Sequence, residues 1–444
     1  LKDIFIVFTL SIRALFTKRV TFSIKISYFS IDSVVKLKFF SYTPSMKRFN
    51  TAKKIVEVLQ NSGFTTYFAG GWVRDHLLLK EADDIDIATT ATPLEVMALF
   101  PKTISVGVQF SILIVVEEEM EFEVATFRSE EGYLDGRRPS KIQHVSPEED
   151  AKRRDFTINS LFYDPIKEII YDFVGGKQDL EKGIIRAVGD PFLRFKEDRL
   201  RMIRACRYSA RFCFPIEEST FQAIVCEAHT LFPSVAIERV YDEFKKMTKD
   251  PHLFKALLLM HKCSLLKVIF PHLPLISYEE LEQKIDFLPK FPKGTYPTIY
   301  LYELFNPLSL DQKLALCLYL KVSKSEMNFT EELEKWKQSN AFSDYELVHL
   351  YAHPYSLNCF ELAIMYRCFP HFEAFHREKM GALSQHVQRL KENTPLITAT
   401  DLMALGMEKG KELGLALKKA LILTINHNCL TKKEVLALMN LENK

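Results

Sequence analysis

The chain has 444 residues, with 59 Lys and Arg against 57 Asp and Glu for a net charge of +2, and 47% of it is hydrophobic. That length and apolar share leave room for several domains with cores of their own, and exclude a disordered or fibrous chain. The eight cysteines are scattered, with no C-x-x-C and no Cys/His cluster. Reduced, mostly buried thiols are the better reading, and they point to a cytosol-like compartment.

The first 45 residues read differently from the remainder. They hold seven basic residues against Asp3 and Asp32, a net charge of +5 that leaves −3 for residues 46–444. They are rich in β-branched and aromatic residues, but basic residues interrupt the apolar runs too often for a bilayer span, and no clear secretory cleavage pattern is present. An organelle transit segment, a membrane-surface arm and an upstream translation ahead of a true start at Met46 all fit. Leu1 as a first residue, and the coherent helix beginning at Met46-Lys-Arg, favour the last.

From there, Ile55, Val58 and Leu59 predict an amphipathic helix over 49–62, stopped by Gly63. A strand over 66–69 then runs into Gly70 and Gly71 and out into a helix. Such a turn lets backbone amides approach a phosphate closely. Arg74, in the first helical turn, would add a fixed charge to a triphosphate. Asp84 and Asp86 stand two apart on an expected strand, so both carboxylates project from one face while Ile85 and Ile87 pack behind. That pair can hold a divalent metal. Each piece alone is common: acidic pairs at this spacing are mostly solvated strand edges, and Gly-Gly before a helix is more often just a turn. Their order within one strand-helix-strand unit is what points to nucleotide chemistry.

Thr92-Pro-Leu-Glu95 is a capping box with proline at the first helical position, predicting a helix over 93–100 that packs Leu94, Met97 and Ala98 or Leu99 on the sheet. Strands follow over 111–116 and 120–127. Glu121 and Glu123 share one face of the second, and Glu123 either completes a metal site with Asp84 and Asp86 or belongs to a solvated acidic strand. Residues 128–144 are polar and turn-rich, which reads as a long lid loop beside the site, with plain disorder as the alternative. Ser146-Pro-Glu-Glu149 caps another helix, expected to run through Lys152-Arg-Arg-Asp-Phe-Thr-Ile-Asn159 and to place Asp155 and Asn159 on one ligand-facing side. A structural Arg-Asp pair is the plainer reading of that cluster.

After strands over 160–163 and 169–173 and the pair Gly175-Gly176, the pattern is helical. One helix is expected over 195–211, burying Leu200, Ile203, Cys206 and Ala210. A salt-bridged face is the usual explanation for its five arginines, which include Arg201, Arg204 and Arg207. So few partnering acids argue instead for phosphates or RNA nearby. Asp198 and Arg201, three apart, suit a base. Cytosine and adenine offer an amino donor beside a ring-nitrogen acceptor, and uracil and guanine reverse that order. Asp198 would accept from the amino group and Arg201 donate to the ring nitrogen, leaving unpaired groups against U and G.

The succession Gly70-Gly-Trp-Val-Arg-Asp, Asp84-Ile-Asp, Arg153-Arg-Asp-Phe-Thr-Ile-Asn and Glu197-Asp-Arg-Leu-Arg resembles the class II CCA-adding tRNA nucleotidyltransferases and the bacterial poly(A) polymerases related to them. The resemblance runs from about Tyr67 to Phe214 with all motifs in order. It implies an α+β head, a polymerase-β-like nucleotidyltransferase with a small mixed sheet, then all-α neck, body and tail in a curved monomer. The expected spans are 46–180 for the head, 181–245 for the neck, 246–380 for the body and 381–444 for the tail, after the basic extension 1–45. By the same resemblance Asp84 and Asp86 would bind Mg²⁺, and Gly71, Arg74 and Arg154 the triphosphate, with Gly70, Asp155 and Asn159 in the same nucleotide site. Asp198 and Arg201 would take the base, and Arg204 and Arg207 match further nucleotide-contacting positions.

The implied partners are CTP, ATP and the 3′ end and acceptor stem of tRNA, in the cytoplasm and without a membrane. The implied reaction is attack of an RNA 3′-hydroxyl on the α-phosphate of CTP or ATP, releasing pyrophosphate, with no template. Pro395-Leu-Ile-Thr, Asp401-Leu-Met-Ala-Leu-Gly406 and Lys409-Gly-Lys-Glu-Leu-Gly414 look like the family's tRNA-contacting tail, although the family usually has glycine near Ala399 and proline after Gly410. A poly(A) polymerase keeps the same motifs but often ends in a strongly basic stretch, whereas this chain ends Met439-Asn-Leu-Glu-Asn-Lys444, which favours tRNA end repair. An enzyme adding only A or only C, and a catalytically silent RNA-binding protein, are the further readings. The presence of Asp84 and Asp86 with the full base-reading pair speaks against the silent one.

Overall fold

Residues 26–28, 31–33 and 44–441, apart from 83, 108–111, 134–138, 285–286 and 367, are described in a computed structural model of the chain. They separate into two units, Leu1–Arg201 with Cys213–Ile224, and Met202–Phe212 with Val225–Lys444. Most of the expected basic extension lies outside the described residues. Within it, strands β1 (Ile26–Tyr28) and β2 (Ile31–Ser33) pair antiparallel. Among the described residues no helix is long and apolar enough to cross a membrane.

The first unit opens with helix α1 (Pro44–Asn61), which buries Ala52, Ile55, Val56 and Leu59. There follow β3 (Thr66–Ala69), α2 (Gly71–Leu77), β4 (Asp86–Thr89), α3 (Pro93–Leu99), β5 (Thr103–Gly107), β6 (Ile112–Glu117) and β7 (Met120–Thr126). Then come β8 (Arg128–Tyr133), β9 (Pro139–His144), α4 (Pro147–Arg153), β10 (Phe162–Asp164), β11 (Ile169–Tyr171), α5 (Gly176–Lys182) and α6 (Pro191–Glu197). Seven strands form one mixed sheet in the order β11-β10-β3-β4-β7-β6-β5, with β4 and β7 parallel and the other pairs antiparallel. Because Ile87 lies opposite Val124 in the parallel pair, Asp86 and Glu123 come level at its edge, and alternation sends both side chains to one face. Ala69, Ala88 and Ala151 share a core cluster with Phe127 and Phe162; small residues on β3, β4 and α4 let backbone lie close to backbone there.

Several expectations about local structure are corrected. Helix α3 has its capping box, but it buries Pro93 and Val96, with Phe100 just beyond, and leaves Leu94 and Met97 exposed. Apolar residues lie on both sides of this short helix, and the buried stripe is offset by one position from the expected one. The stretch 128–144, expected as a loop, carries two strands over its described residues, 128–133 and 139–144. Strands β8 and β9 pair antiparallel from Arg128 opposite His144 to Tyr133 opposite Pro139, a ladder made by backbone groups that a polar stretch does not advertise.

Helix α4 stops at Arg153 instead of reaching Asn159. Arg154 is extended, with φ −69° and ψ 168°, and Thr157–Asn159 is a short 3₁₀ turn. The chain leaves the helix because residues 155–157 bond to 186–188 instead: Thr157 N–H donates to Arg186 O and Val188 N–H to Asp155 O. The long helix expected over 195–211 is likewise two. Asp198 is extended (φ −146°, ψ 105°), and its carboxylate accepts the Leu200 N–H, so it starts α7 (Leu200–Phe212) as aspartates commonly do. The buried set Leu200, Ile203, Cys206 and Ala210 is as expected.

The second unit is built of helices. Trp336 is fully buried among Tyr351, Phe360 and His376. Toward the C-terminus, Ile397, Leu402, Leu413, Ala420, Cys429 and Val435 make a separate core, where Thr398 and Asp401 form a capping box for helix Ala399–Ala404. All eight cysteines are free thiols, Cys213 and Cys226 exposed.

Candidate active site

β3 ends at Ala69, and Gly70 turns with φ 67° and ψ −129°, a conformation that glycine enters without a Cβ penalty. A Cβ there would stand 3.2 Å from Arg154 Nη1 and 3.9 Å from both Asn159 O and Asp86 Oδ2. A cation and a carboxylate from distant parts of the sequence therefore meet over one bare backbone position. Arg74 Nη2 lies 3.6 Å from the corresponding point on Gly71.

Beneath the turn is a buried polar network. Arg74, 2% exposed, donates through Nε to Asp75 Oδ1 at 2.8 Å and through Nη1 to Asn159 Oδ1. Asn159 Nδ2 donates to Asp155 Oδ1 at 3.1 Å, so these two meet even though no helix joins them. Arg74 is thus tied into the floor of the turn. Asp75 was not singled out from the sequence: neighbouring residues on a helix face different sides, so Arg-Asp in succession gives no pattern. The 3₁₀ turn carrying Asn159 is held by close packing, since a Cβ on Gly176 would come 2.1 Å from Thr157 O. The Asp172 carboxylate accepts the N–H groups of Val174, Gly175, Gly176 and Lys177 and fixes that approach.

Arg154 donates through Nε to Asp150 Oδ2 at 3.0 Å and through Nη1 to Asn159 O at 3.3 Å, and lies over the Phe162 ring. Asp150 is a second residue the sequence reading passed over. Its spacing of three and four residues from Arg153 and Arg154 was the available signal.

Asp84 is exposed just before β4, and Asp86 is partly buried at the start of the strand. Burial, with the negative charges of Glu123 and Asp84, pushes the Asp86 carboxyl up to about 7, against the pull of Arg154. The Glu123 carboxyl is raised by burial and by Asp84, with Arg128 opposing. Crowded carboxylates of this kind are relieved by a hard divalent cation, and oxygen donors suit Mg²⁺. Asp84 and Asp86 fit that group. Glu123 lies level with Asp86 on the adjacent strand, and its charge is one cause of the raised Asp86 carboxyl.

Arg201 is 8% exposed. It donates through Nη1 to Glu197 Oε2 at 2.7 Å and Arg194 O at 3.0 Å, and through Nη2 to Arg153 O at 3.0 Å. Its carboxylate partner is therefore Glu197, while Asp198 caps α7. Arg204 and Arg207 lie in the second unit. Arg207 donates to the buried Glu243 at 2.6 Å, and Arg204 stands 4.0 Å from the same carboxylate. This corrects the expectation that the arginines lack acidic partners, because Glu243 is 36 residues away in sequence. Burial would raise the Glu243 carboxyl, but Arg207, Arg204 and Lys246 hold it below the usual range.

Residues 66–186 match a family model described as the poly A polymerase head domain, and residues 213–276 one described as the probable RNA and SrmB-binding site of polymerase A. The chain is 36% identical over 297 residues to the CCA-adding enzyme of Lactobacillus helveticus, which spans 67% of this chain and 69% of that enzyme. It is 42% identical over 237 residues to the CCA-adding enzyme of Anoxybacillus flavithermus, 53% of this chain but only 58% of that enzyme's length. Among solved structures, Bacillus stearothermophilus CCA-adding enzyme in complex with CTP superposes with a TM-score of 0.74 at 27% identity, covering 90% of this chain and 98% of that one.

Proposed function

The chain belongs to the CCA-adding enzyme family, and on that premise we propose that it adds CCA to tRNA 3′ ends from CTP and ATP, as a template-independent nucleotidyltransferase. The observation that carries this reading is the meeting of Arg154 and Asp86 within 4 Å of one bare glycine position. A relative of the same fold was solved in complex with CTP, which supports CTP as a ligand. The match of residues 213–276 to an RNA-binding description supports an RNA partner.

The triphosphate lies against the Gly70-Gly71 turn. Arg154 neutralises its charge there, and Arg74 adds positive potential from below. Asp84 and Asp86 would hold Mg²⁺, which when bound supplies Lewis acidity at the reacting oxygens. The RNA 3′-hydroxyl attacks the α-phosphate and pyrophosphate leaves. Asn159, held by Arg74 and Asp155, keeps its carbonyl on Arg154 and so keeps that guanidinium at the turn. Asp198 accepts from the amino group of C or A. Arg201 has three hydrogen bonds committed to protein, which orient the guanidinium and leave further N–H donors for the ring nitrogen. U and G would leave both partners unpaired, and side chains alone read the base. Arg204 and Arg207 are further nucleotide contacts, the second fixed by Glu243. All these groups come from one chain, so a monomer suffices, and the free thiols suit the cytoplasm.

The test is incorporation of each labelled nucleotide, singly and together, onto tRNA lacking its 3′ end and onto an unrelated oligonucleotide. Two C and one A on the tRNA alone, then arrest, is the expected result. Long A tracts would make the chain a poly(A) polymerase, and no incorporation with Mg²⁺ an RNA-binding protein.

A further inference from the structure

Asp150 is 1% exposed, and its carboxylate gathers hydrogen bonds from both flanks of the nucleotide site. Oδ1 accepts the Arg128 N–H at 3.2 Å, where β8 begins, and Arg153 Nε and Nη2 at 2.9 and 2.7 Å. Oδ2 accepts Arg154 Nε at 3.0 Å, with Arg154 Nη2 also at 3.0 Å. Arg154 has its backbone outside α4, extended, so the helix itself does not aim the side chain. Three contacts do: Asp150 on one edge of the guanidinium, Asn159 O on the other, and the Phe162 ring beneath it. Of the three, only Asp150 carries charge. A buried anion costs desolvation that an apolar residue at this position would avoid, so its presence calls for a role beyond filling space.

We propose that Asp150 is a positioning residue for triphosphate binding, acting through Arg154 by holding its guanidinium over the Gly70 turn. The inference rests on the reading that Arg154 meets the triphosphate. Without the carboxylate, Arg154 keeps its length and charge but loses the contact that sets its direction, and displacements of about 1 Å can cost on the order of 100-fold in such sites.

The test is a double-mutant cycle on the full chain with tRNA lacking its 3′ end, reading KM and kcat for CTP and the melting temperature of each variant. Asp150→Asn and Arg154→Ala should each raise KM by about 10- to 100-fold, and the double variant should be no worse than Arg154→Ala alone. Asp150→Glu should recover part of the loss. If the two single effects multiply in the double variant, Asp150 does not act through Arg154 and the proposal is overturned while the site reading stands. If Arg154→Ala leaves KM unchanged, the triphosphate reading fails and the proposal with it. A fall in kcat and melting temperature at unchanged KM for Asp150→Asn would make the residue merely structural and also overturn it.

Discussion

In the first unit Arg74, Asp75, Asp150, Asp155 and Asn159 are buried around one glycine turn, and in the second Glu326, Ser339 and His376 are buried just as deeply. The second set closes on itself. His376 lies between Ser339 Oγ and Tyr351 Oη, each at 2.8 Å, against the rings of Trp336 and Phe372. Glu326 accepts from Tyr241 Oη and from the N–H and hydroxyl of Thr298. The first set does not close: it leads to Asp86 and Glu123, carboxyls raised by burial and by neighbouring negative charge. Buried polar groups by themselves are thus a sign of packing specificity. Like charges left facing one another at the edge of such a network are the sign of a ligand site.

The sharpest way to break this comparison is Asp86→Asn. Nucleotide incorporation should fall to background, while the metal-free protein melts at the same temperature as wild type or higher, because repulsion from Glu123 and Asp84 is reduced. Calorimetry beside the incorporation assay checks both, and near-normal incorporation would remove the distinction between the two networks. Next in size is Glu243→Gln in the second unit. Stripping the charge from a buried carboxylate that pairs with Arg207 should cost about 3–5 kcal/mol, read from urea unfolding.

His376 gives a smaller, pH-dependent effect. Burial pushes its imidazole down to about 4 in the folded chain, from an ordinary value of 6.5. The unfolded chain therefore binds the extra proton between those values, and stability falls as pH drops from 6.5 through 4, by up to roughly 3 kcal/mol. His376→Asn should flatten that part of the stability curve in melts at pH 5 and pH 7, while KM for CTP stays unchanged.

Much of the head was legible because its signals are local. The strand over 66–69, the two glycines, the capping boxes at Thr92 and Ser146, and the alternation of Phe122 and Val124 with Glu121 and Glu123 are each set by residues a few positions apart. What escaped depends on distant partners. The break after Arg153 exists because residues 155–157 bond to 186–188, and Arg207 is balanced by Glu243 from a separate helix. β5 lies at the sheet edge, in a short run, Thr103–Gly107, that mixes small and polar residues with its apolar ones. Glu197, four residues before Arg201, was within reach of the same spacing argument.

Equilibrium binding of CTP, ATP, UTP and GTP to the full chain with Mg²⁺ tests the central claim most directly. CTP and ATP should bind about tenfold or more tightly than UTP and GTP, a difference of ~1.4 kcal/mol or more, and Arg201→Ala should erase the preference. Equal affinity for all four nucleotides would contradict base reading by Asp198 and Arg201.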